Sequence, residues 1–145
     1  RLNPAPVGEA DLPSGAGVTA PVSLVRLEQV QNVNALAKAQ VLPFSEGLTV
    51  IYGDNGVGKS GYARILKRVC RARDREPDLL PNIHDPAPAA DRTASATIHF
   101  SVGTEPRKLD WKDGGLTAPE LTFVQVFDSG CATIQISEKN EIVFT

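Results

Sequence analysis

Apolar and polar positions change period several times along the chain, and each period predicts an element. From Val22 to Val33 apolar residues alternate at Val22/Leu24 and again at Leu27/Val30, with Val25 out of phase. That pattern predicts a first strand with one face toward a core. Leu48–Tyr52 is a short apolar run after the turn residues Phe44-Ser45-Glu46-Gly47, and it predicts a second strand. From Lys59 to Arg73 the period lengthens. Tyr62, Ile65, Leu66, Val69 and Cys70 fall at i, i+3, i+4, i+7 and i+8, the stripe of an amphipathic helix. Arg64, Lys67, Arg68, Arg71 and Arg73 take the other positions and crowd the C-terminal end. Positive charge there complements the helix dipole, and these residues read as a solvated face.

Alternation returns in Ala94–Val102 through Ala96, Ile98, Phe100 and Val102, and in Arg107–Lys112 at Leu109 and Trp111, with a turn at Asp113-Gly114-Gly115. Thr122–Phe127 is a short, mostly apolar strand, and Ile134, Ile136 and Ile142–Phe144 add strand-like material. Between these elements, Asn34–Gln40 reads as a helical turn or loop. Asp74–Arg92 is broken by Pro77, Pro81, Pro86 and Pro88 and reads as a loop in which His84-Asp85 carries no chemistry. Residues 1–21, with Pro4, Pro6, Pro13, Pro21, Gly8, Gly15 and Gly17, read as a flexible linker before a domain spanning 22–145. One helix among five strands is too little for a doubly wound sheet. The fold class expected is α/β with an α+β tendency: a mixed, largely antiparallel sheet packed on one helix.

The join between the second strand and the helix carries the chemistry. Gly53-Asp54-Asn55-Gly56-Val57-Gly58-Lys59-Ser60 has the GxxxxGK[ST] spacing of a phosphate-binding loop, strand-like before and helix-like after. Glycines at 53, 56 and 58 allow positive φ and close approach to a ligand. Successive N–H groups then face a polyphosphate at the positive end of the helix. Lys59 reaches the β/γ-phosphates and is the catalytic candidate, Ser60 is placed to bind Mg²⁺, and Gly61 and Tyr62 begin the helix. The expected ligand is a nucleoside triphosphate.

Composition adds limits. The chain has 145 residues, 41% hydrophobic and 22% charged, with a net charge of −2, which fits a globular core and gives no global pull toward nucleic acid or membrane. No apolar run approaches the roughly 20 residues of a membrane span, and there is no signal-peptide pattern. Cys70 and Cys131 have no metal spacing and read as reduced thiols of a cytoplasmic protein. The chain begins at Arg1 rather than Met and stops at Thr145 inside an apolar run, so it reads as a piece of a longer protein.

A working nucleoside triphosphatase of this class needs an acidic residue after an apolar strand to hold Mg²⁺ and orient water. Phe123-Val124-Gln125-Val126-Phe127-Asp128 is the candidate, with Asp128 as the acid, although Ser129 stands where Glu is usual and Gln125 interrupts the run. A self-contained small kinase or GTPase using Asp128 is therefore one alternative, and a non-catalytic interaction module is another. The GDNGVGKS loop, with Asn55-Gly56 at its centre, resembles the GxNGxGKS form of SMC- and RecN-like ABC ATPases. The strand pair VSLVRLEQVQNV and GLTVIYG is similar to the opening of their head domains. The run from Ser60 to Arg68 with Cys70–Asp74 and Phe127-Asp128-Ser129 resembles large bacterial AAA-family proteins of the DNA-repair or anticodon-nuclease-like type.

The resemblance covers about Val22 to the C-terminus and implies the N-terminal lobe of a split ATPase head. That lobe would bind ATP and Mg²⁺ through Gly53, Asp54, Asn55, Gly56, Val57, Gly58, Lys59, Ser60 and Gly61. It would hydrolyse ATP only with a C-terminal lobe of the same parent chain and a head-to-head partner. It further implies a Mg²⁺-coordinating Gln, for which Gln135 is the nearest candidate, and a nucleotide-lining role for Asn32 or Asn34. ATP over GTP rests on the resemblance, because no NKxD guanine-reading motif is present; a nucleic-acid partner belongs to the same implication.

Overall fold

A computed structural model describes residues 20–72, 78–86, 92–128 and 130–133. Among these, the elements in chain order are β1 (Val22–Gln31), β2 (Leu42–Pro43), α1 (Lys59–Val69), β3 (Ser95–Val102), β4 (Glu105–Lys112) and a 3₁₀ helix at Pro119–Phe123. The strands form one four-stranded antiparallel sheet in the order β2-β1-β3-β4. The fold is mixed α/β with few helices.

The register of β1 on β3 explains why Val25 breaks the alternation. Leu24 lies opposite Phe100 and Leu27 opposite Ile98, so two residues three apart face the same side. The register shifts between Leu24 and Arg26, leaving Val25 as the extra residue of a bulge. A second shift lies between Glu28 and Gln31, where Gln29 has φ 53°. It turns Val30 inward, and Val33 follows it into the core. β3 continues into β4 through a two-residue turn with Gly103 at φ 60°, the placement a II′ hairpin uses. On the opposite sheet face Glu28 pairs with His99 (2.8 Å) and Arg26 (3.0 Å), while the Thr97 hydroxyl donates to Asp110 (2.9 Å).

Leu27, Val30, Val33, Ile65, Val69, Ile98, Phe100, Trp111 and Leu121 belong to one buried cluster drawn from β1, α1, β3, β4 and the 3₁₀ helix. α1 contributes Ile65, Val69 and Cys70, as the apolar stripe predicts. It stops at Val69, four residues short of Arg73, where the sequence pattern ends the helix. Arg71 adopts φ 53°, its N–H bonds to Arg68 O, and the N–H of Ala72 bonds to Lys67 O. These are the two bonds of a Schellman termination, with arginine where glycine is usual.

Two predicted strands take another form. Leu48–Tyr52 has no ladder partner among the described residues, and Leu48, Val50 and Tyr52 are 86%, 75% and 91% exposed. A single extended run is not a strand without a neighbour, however apolar it is. Thr122–Phe127 divides instead: Pro119 opens the 3₁₀ helix, whose Thr122 hydroxyl bonds to Pro119 O (2.6 Å), and residues 124–128 then run without a ladder. Val124 and Val126 pack on the core while Phe123 and Phe127 are exposed, so the alternation persists without pairing. Asn34–Gln40 is turn and loop. The linker 1–21, apart from Ala20 and Pro21, and Ile134, Ile136 and Ile142–Phe144 lie outside the described residues. No helix among the described residues is long and apolar enough to cross a membrane.

Arg71 supplies a stability prediction. A non-glycine residue in the left-handed region is strained by about 1–2 kcal/mol, partly offset by glycine's greater freedom when unfolded. Arg71→Gly is therefore expected to raise the unfolding free energy by roughly 0.5–1 kcal/mol in a urea titration, and Arg71→Val to lower it.

Candidate phosphate-binding loop

The loop begins at a pinned turn. The Ser45 N–H donates to Thr49 Oγ1 (2.8 Å) and the Ser45 hydroxyl to Leu48 O (3.1 Å), fixing where residues 48–52 leave the turn. Gly56 and Gly58 have φ 91° and 94°, so the sequence needs glycine there for conformation. A Cβ on Gly53 would come within 2.9 Å of Val57 Cγ2, so the exposed Val57 side chain would have to turn aside. Asp54, Asn55, Gly56, Val57 and Ser60 are exposed, while Gly58 and Lys59 are partly buried and Gly61 is buried.

Lys59 closes the loop on itself. Its Nζ donates to Gly53 O (2.5 Å) and Asp54 O (2.7 Å). The ammonium, with three donors, is thus held across the loop by two carbonyl dipoles. Gly58 is the N-cap residue of α1, makes no side-chain cap, and no acidic residue follows in the first turn. The N–H groups that open a helix have no intrahelical acceptor. Here the Gly61 N–H donates back to Gly58 O (2.8 Å), and the N–H groups before it meet no side-chain cap, beside a fixed cation and an exposed serine hydroxyl. That combination suits a bound anion. The Ser60 oxygen is a hard ligand of the kind Mg²⁺ takes alongside phosphate oxygens.

Behind the loop, Leu36 lies against α1's start. A Cβ on Gly58 would fall 2.2 Å from Leu36 Cδ2, and one on Gly61 3.0 Å from Leu36 Cδ1. Leu36 also lines a cavity of about 470 Å³ with Gln29, Asn32, Asn34, Lys38 and Asp85, among others. Asn32 and Asn34, at φ 55° and 48°, use the left-handed tolerance of asparagine. The Asn32 amide donates to Thr93 O (3.1 Å), and the Asn34 N–H donates to Leu80 O (2.7 Å). Asn34 Oδ1 is buried with no hydrogen-bond partner among the described residues, an acceptor left open beside the cavity. The structure therefore brings Asn32 and Asn34 into one cavity wall with Leu36, which in turn touches the loop. Sequence reading missed Leu36 and gave Asp85 no role. One leucine in a loop carries no signal of what it covers.

Asp128 stands elsewhere. Its Oδ2 is 2.6 Å from Lys67 Nζ, and its Oδ1 accepts the Cys131 N–H (3.0 Å). Lys67 lies seven residues beyond Ser60, about 10 Å of helix rise. Lys67 is also the departure from the solvated basic face expected of α1: its side chain is only 3% exposed. The Lys67 ammonium, with the Cys131 N–H, holds the Asp128 carboxyl down at about 2. Burial pushes the Cys70 thiol up to about 11, so it stays a neutral core residue. Gln135 lies outside the described residues, and among the described residues no group of three or more His, Cys, Asp or Glu could hold a metal ion. No protein-family model, curated protein or solved structure matches the chain.

A carboxyl ¹³C titration checks the pair. Because the folded pKa of Asp128 lies below its ordinary 3.8, the pair's contribution is complete above that value and is lost as pH falls through about 2. Lys67→Met is expected to move the midpoint upward, toward 3.8, and an unmoved midpoint would assign the shift to the Cys131 N–H alone.

Proposed function

We propose that this chain is the ATP-binding N-terminal lobe of an SMC/RecN-like ATPase head. In this reading Gly53, Asp54, Asn55, Gly56, Val57, Gly58, Lys59, Ser60 and Gly61 hold the triphosphate of ATP·Mg²⁺. The observation that carries it is the loop itself: Lys59 held at Gly53 O and Asp54 O, two left-handed glycines, and a helix start without a side-chain cap. Lys59 and the loop N–H groups neutralise phosphate charge. Ser60 would hold Mg²⁺ through its hydroxyl oxygen, and the ion would supply charge neutralisation at the phosphates. The cavity behind Leu36, with the open Asn34 oxygen, suits the nucleoside end of the same ligand. The choice of ATP rests on the family resemblance.

The lobe reading finds support in what is unpaired. Leu48–Tyr52 carries Leu48, Val50 and Tyr52 on one face and Ile51 beside Thr49 on the other, close to the near-continuous apolar run of a strand buried in a parallel sheet. Residues 124–128 are a second extended run without a ladder, and a cavity of about 400 Å³ bordered by Leu24, Phe44, Thr49 and Val124 adjoins both. Strands from a C-terminal lobe of the parent chain would pair with these runs, complete a sheet against α1, and bring the acidic residue that hydrolysis needs. A head-to-head partner and an action on nucleic acid, in DNA repair or nucleic-acid-linked defence, follow from the resemblance alone. The pairing of Asp128 with Lys67 weighs against Asp128 as the metal ligand of a self-contained enzyme.

Calorimetry with Mg·ATP tests the assignment. Lys59→Ala removes a charge-assisted contact and is expected to weaken binding about 10- to 100-fold in a chain whose circular dichroism is unchanged. Equal binding by both proteins, or none by the folded wild type, would remove the basis for Lys59. Steady turnover by the isolated chain, lost in Asp128→Ala, would favour the self-contained enzyme.

A further inference from the structure

A lysine side chain that is 3% exposed needs an explanation beyond stability. The pair is open on one side: the Asp128 side chain is 42% exposed, so water screens the carboxylate that the buried ammonium depends on, and the contact is better suited to fixing one arrangement than to strengthening a core. Lys67 has its anion at 2.6 Å, and that anion does two things. Asp128 Oδ2 meets the ammonium, while Asp128 Oδ1 accepts the Cys131 N–H and Asp128 O accepts the Ala132 N–H (2.9 Å). The same residue therefore anchors to α1 and caps the helical turn at 130–133. Its own stretch, 124–128, has no ladder among the described residues to hold it in place. Lys67 sits on the helix whose first residue is Lys59, about 12 Å of rigid rise away.

We propose that Lys67 and Asp128 are positioning residues that carry occupancy of the phosphate loop from α1 into the helical turn at 130–133. The inference rests on the nucleotide reading above and adds a route out of the site. A phosphate seated at the start of α1 competes with the Gly53 and Asp54 carbonyls for the Lys59 ammonium, and so changes the forces on the helix. The helix moves as a unit, and the salt bridge hands that displacement to the cap of 130–133. The substrate class is a polyphosphate anion; the output is the position of residues 130–133.

Amide hydrogen exchange at Cys131 and Ala132 in the full chain reads both halves. Asp128→Asn keeps a cap acceptor but cannot pair with the ammonium, and Lys67→Met removes the buried cation while keeping an unbranched side chain of similar length. Without nucleotide, a double-mutant cycle on unfolding is expected to be non-additive, and additivity would show that the pair does not position anything. With Mg·ATP, exchange at these amides in the wild type is expected to slow by about fivefold or more, and the response to vanish in Asp128→Asn and Lys67→Met. Their nucleotide affinity should stay within about threefold of wild type, because neither residue touches the ligand. A response that persists in both variants, or is absent from a wild type that binds, overturns the coupling. Loss of Mg²⁺-dependent affinity in Asp128→Asn alone would make Asp128 a metal ligand instead. A folded wild type that binds no nucleotide overturns the phosphate-loop reading and with it the coupling, whereas the cycle without nucleotide still reports on the pair by itself.

Discussion

Leu27 lies opposite Ile98 at the middle of the sheet, and neither is exposed. Much of what surrounds the loop follows from holding that register. Two bulges in β1 keep Leu24, Leu27, Val30 and Val33 on the core side although no single strand period does so. The second bulge then sends the chain out through Asn32 and Asn34 in left-handed conformations, which lays Leu36 against Gly58 and Gly61. The loop that follows β1 thus reaches the start of α1 through Leu36 and, at Gly61, Val33. A glycine in the loop is fixed by conformation at 58 and by the sheet's own strap at 58 and 61.

Electrostatics sets the state of the loop. Lys59 satisfies itself on two carbonyls of the turn it closes, so its charge is held in place before any ligand arrives. In the proposed reading this preorganisation would lower the entropic cost of binding a phosphate, offset by the displacement of two hydrogen bonds. Further along α1 a second lysine is treated in the opposite way. Lys67 is removed from water and given an aspartate. One helix therefore presents one cation to the loop mouth and buries another against the chain beyond residue 123.

The sheet and helix were legible because their side chains alternate or recur on a face that is buried within the described residues: Ala96, Ile98 and Phe100 in β3, Ile65 and Val69 in α1. Val25 read only as out of phase; the bulge that explains it needs the register of β1 on β3. The loop was legible from Gly56, Gly58, Lys59 and Ser60, whose spacing has few other uses. What misled was apolarity without partners. Leu48, Val50 and Tyr52 read as a strand, yet hydropathy says only that a face wants burial, and pairing depends on neighbours that the run does not encode. Lys67 was illegible for a related reason: between Ile65 and Val69 a lysine looks like a solvated position, and its burial depends on an aspartate distant in the chain. Leu36 and Asn34 gain their meaning only from what folds beside them.

The central claim is that residues 53–61 bind the phosphates of a nucleotide. Titrating Mg·ATP into ¹⁵N-labelled chain while following the amide resonances tests it most directly. The largest shifts are expected on Gly56, Gly58, Lys59 and Ser60, with smaller ones at Asn34 and Leu36, and Lys59→Ala should reduce all of them at the same ligand concentration. Shifts scattered over the sheet with none in the loop, or a pattern in the loop that Lys59→Ala leaves unchanged, would contradict it.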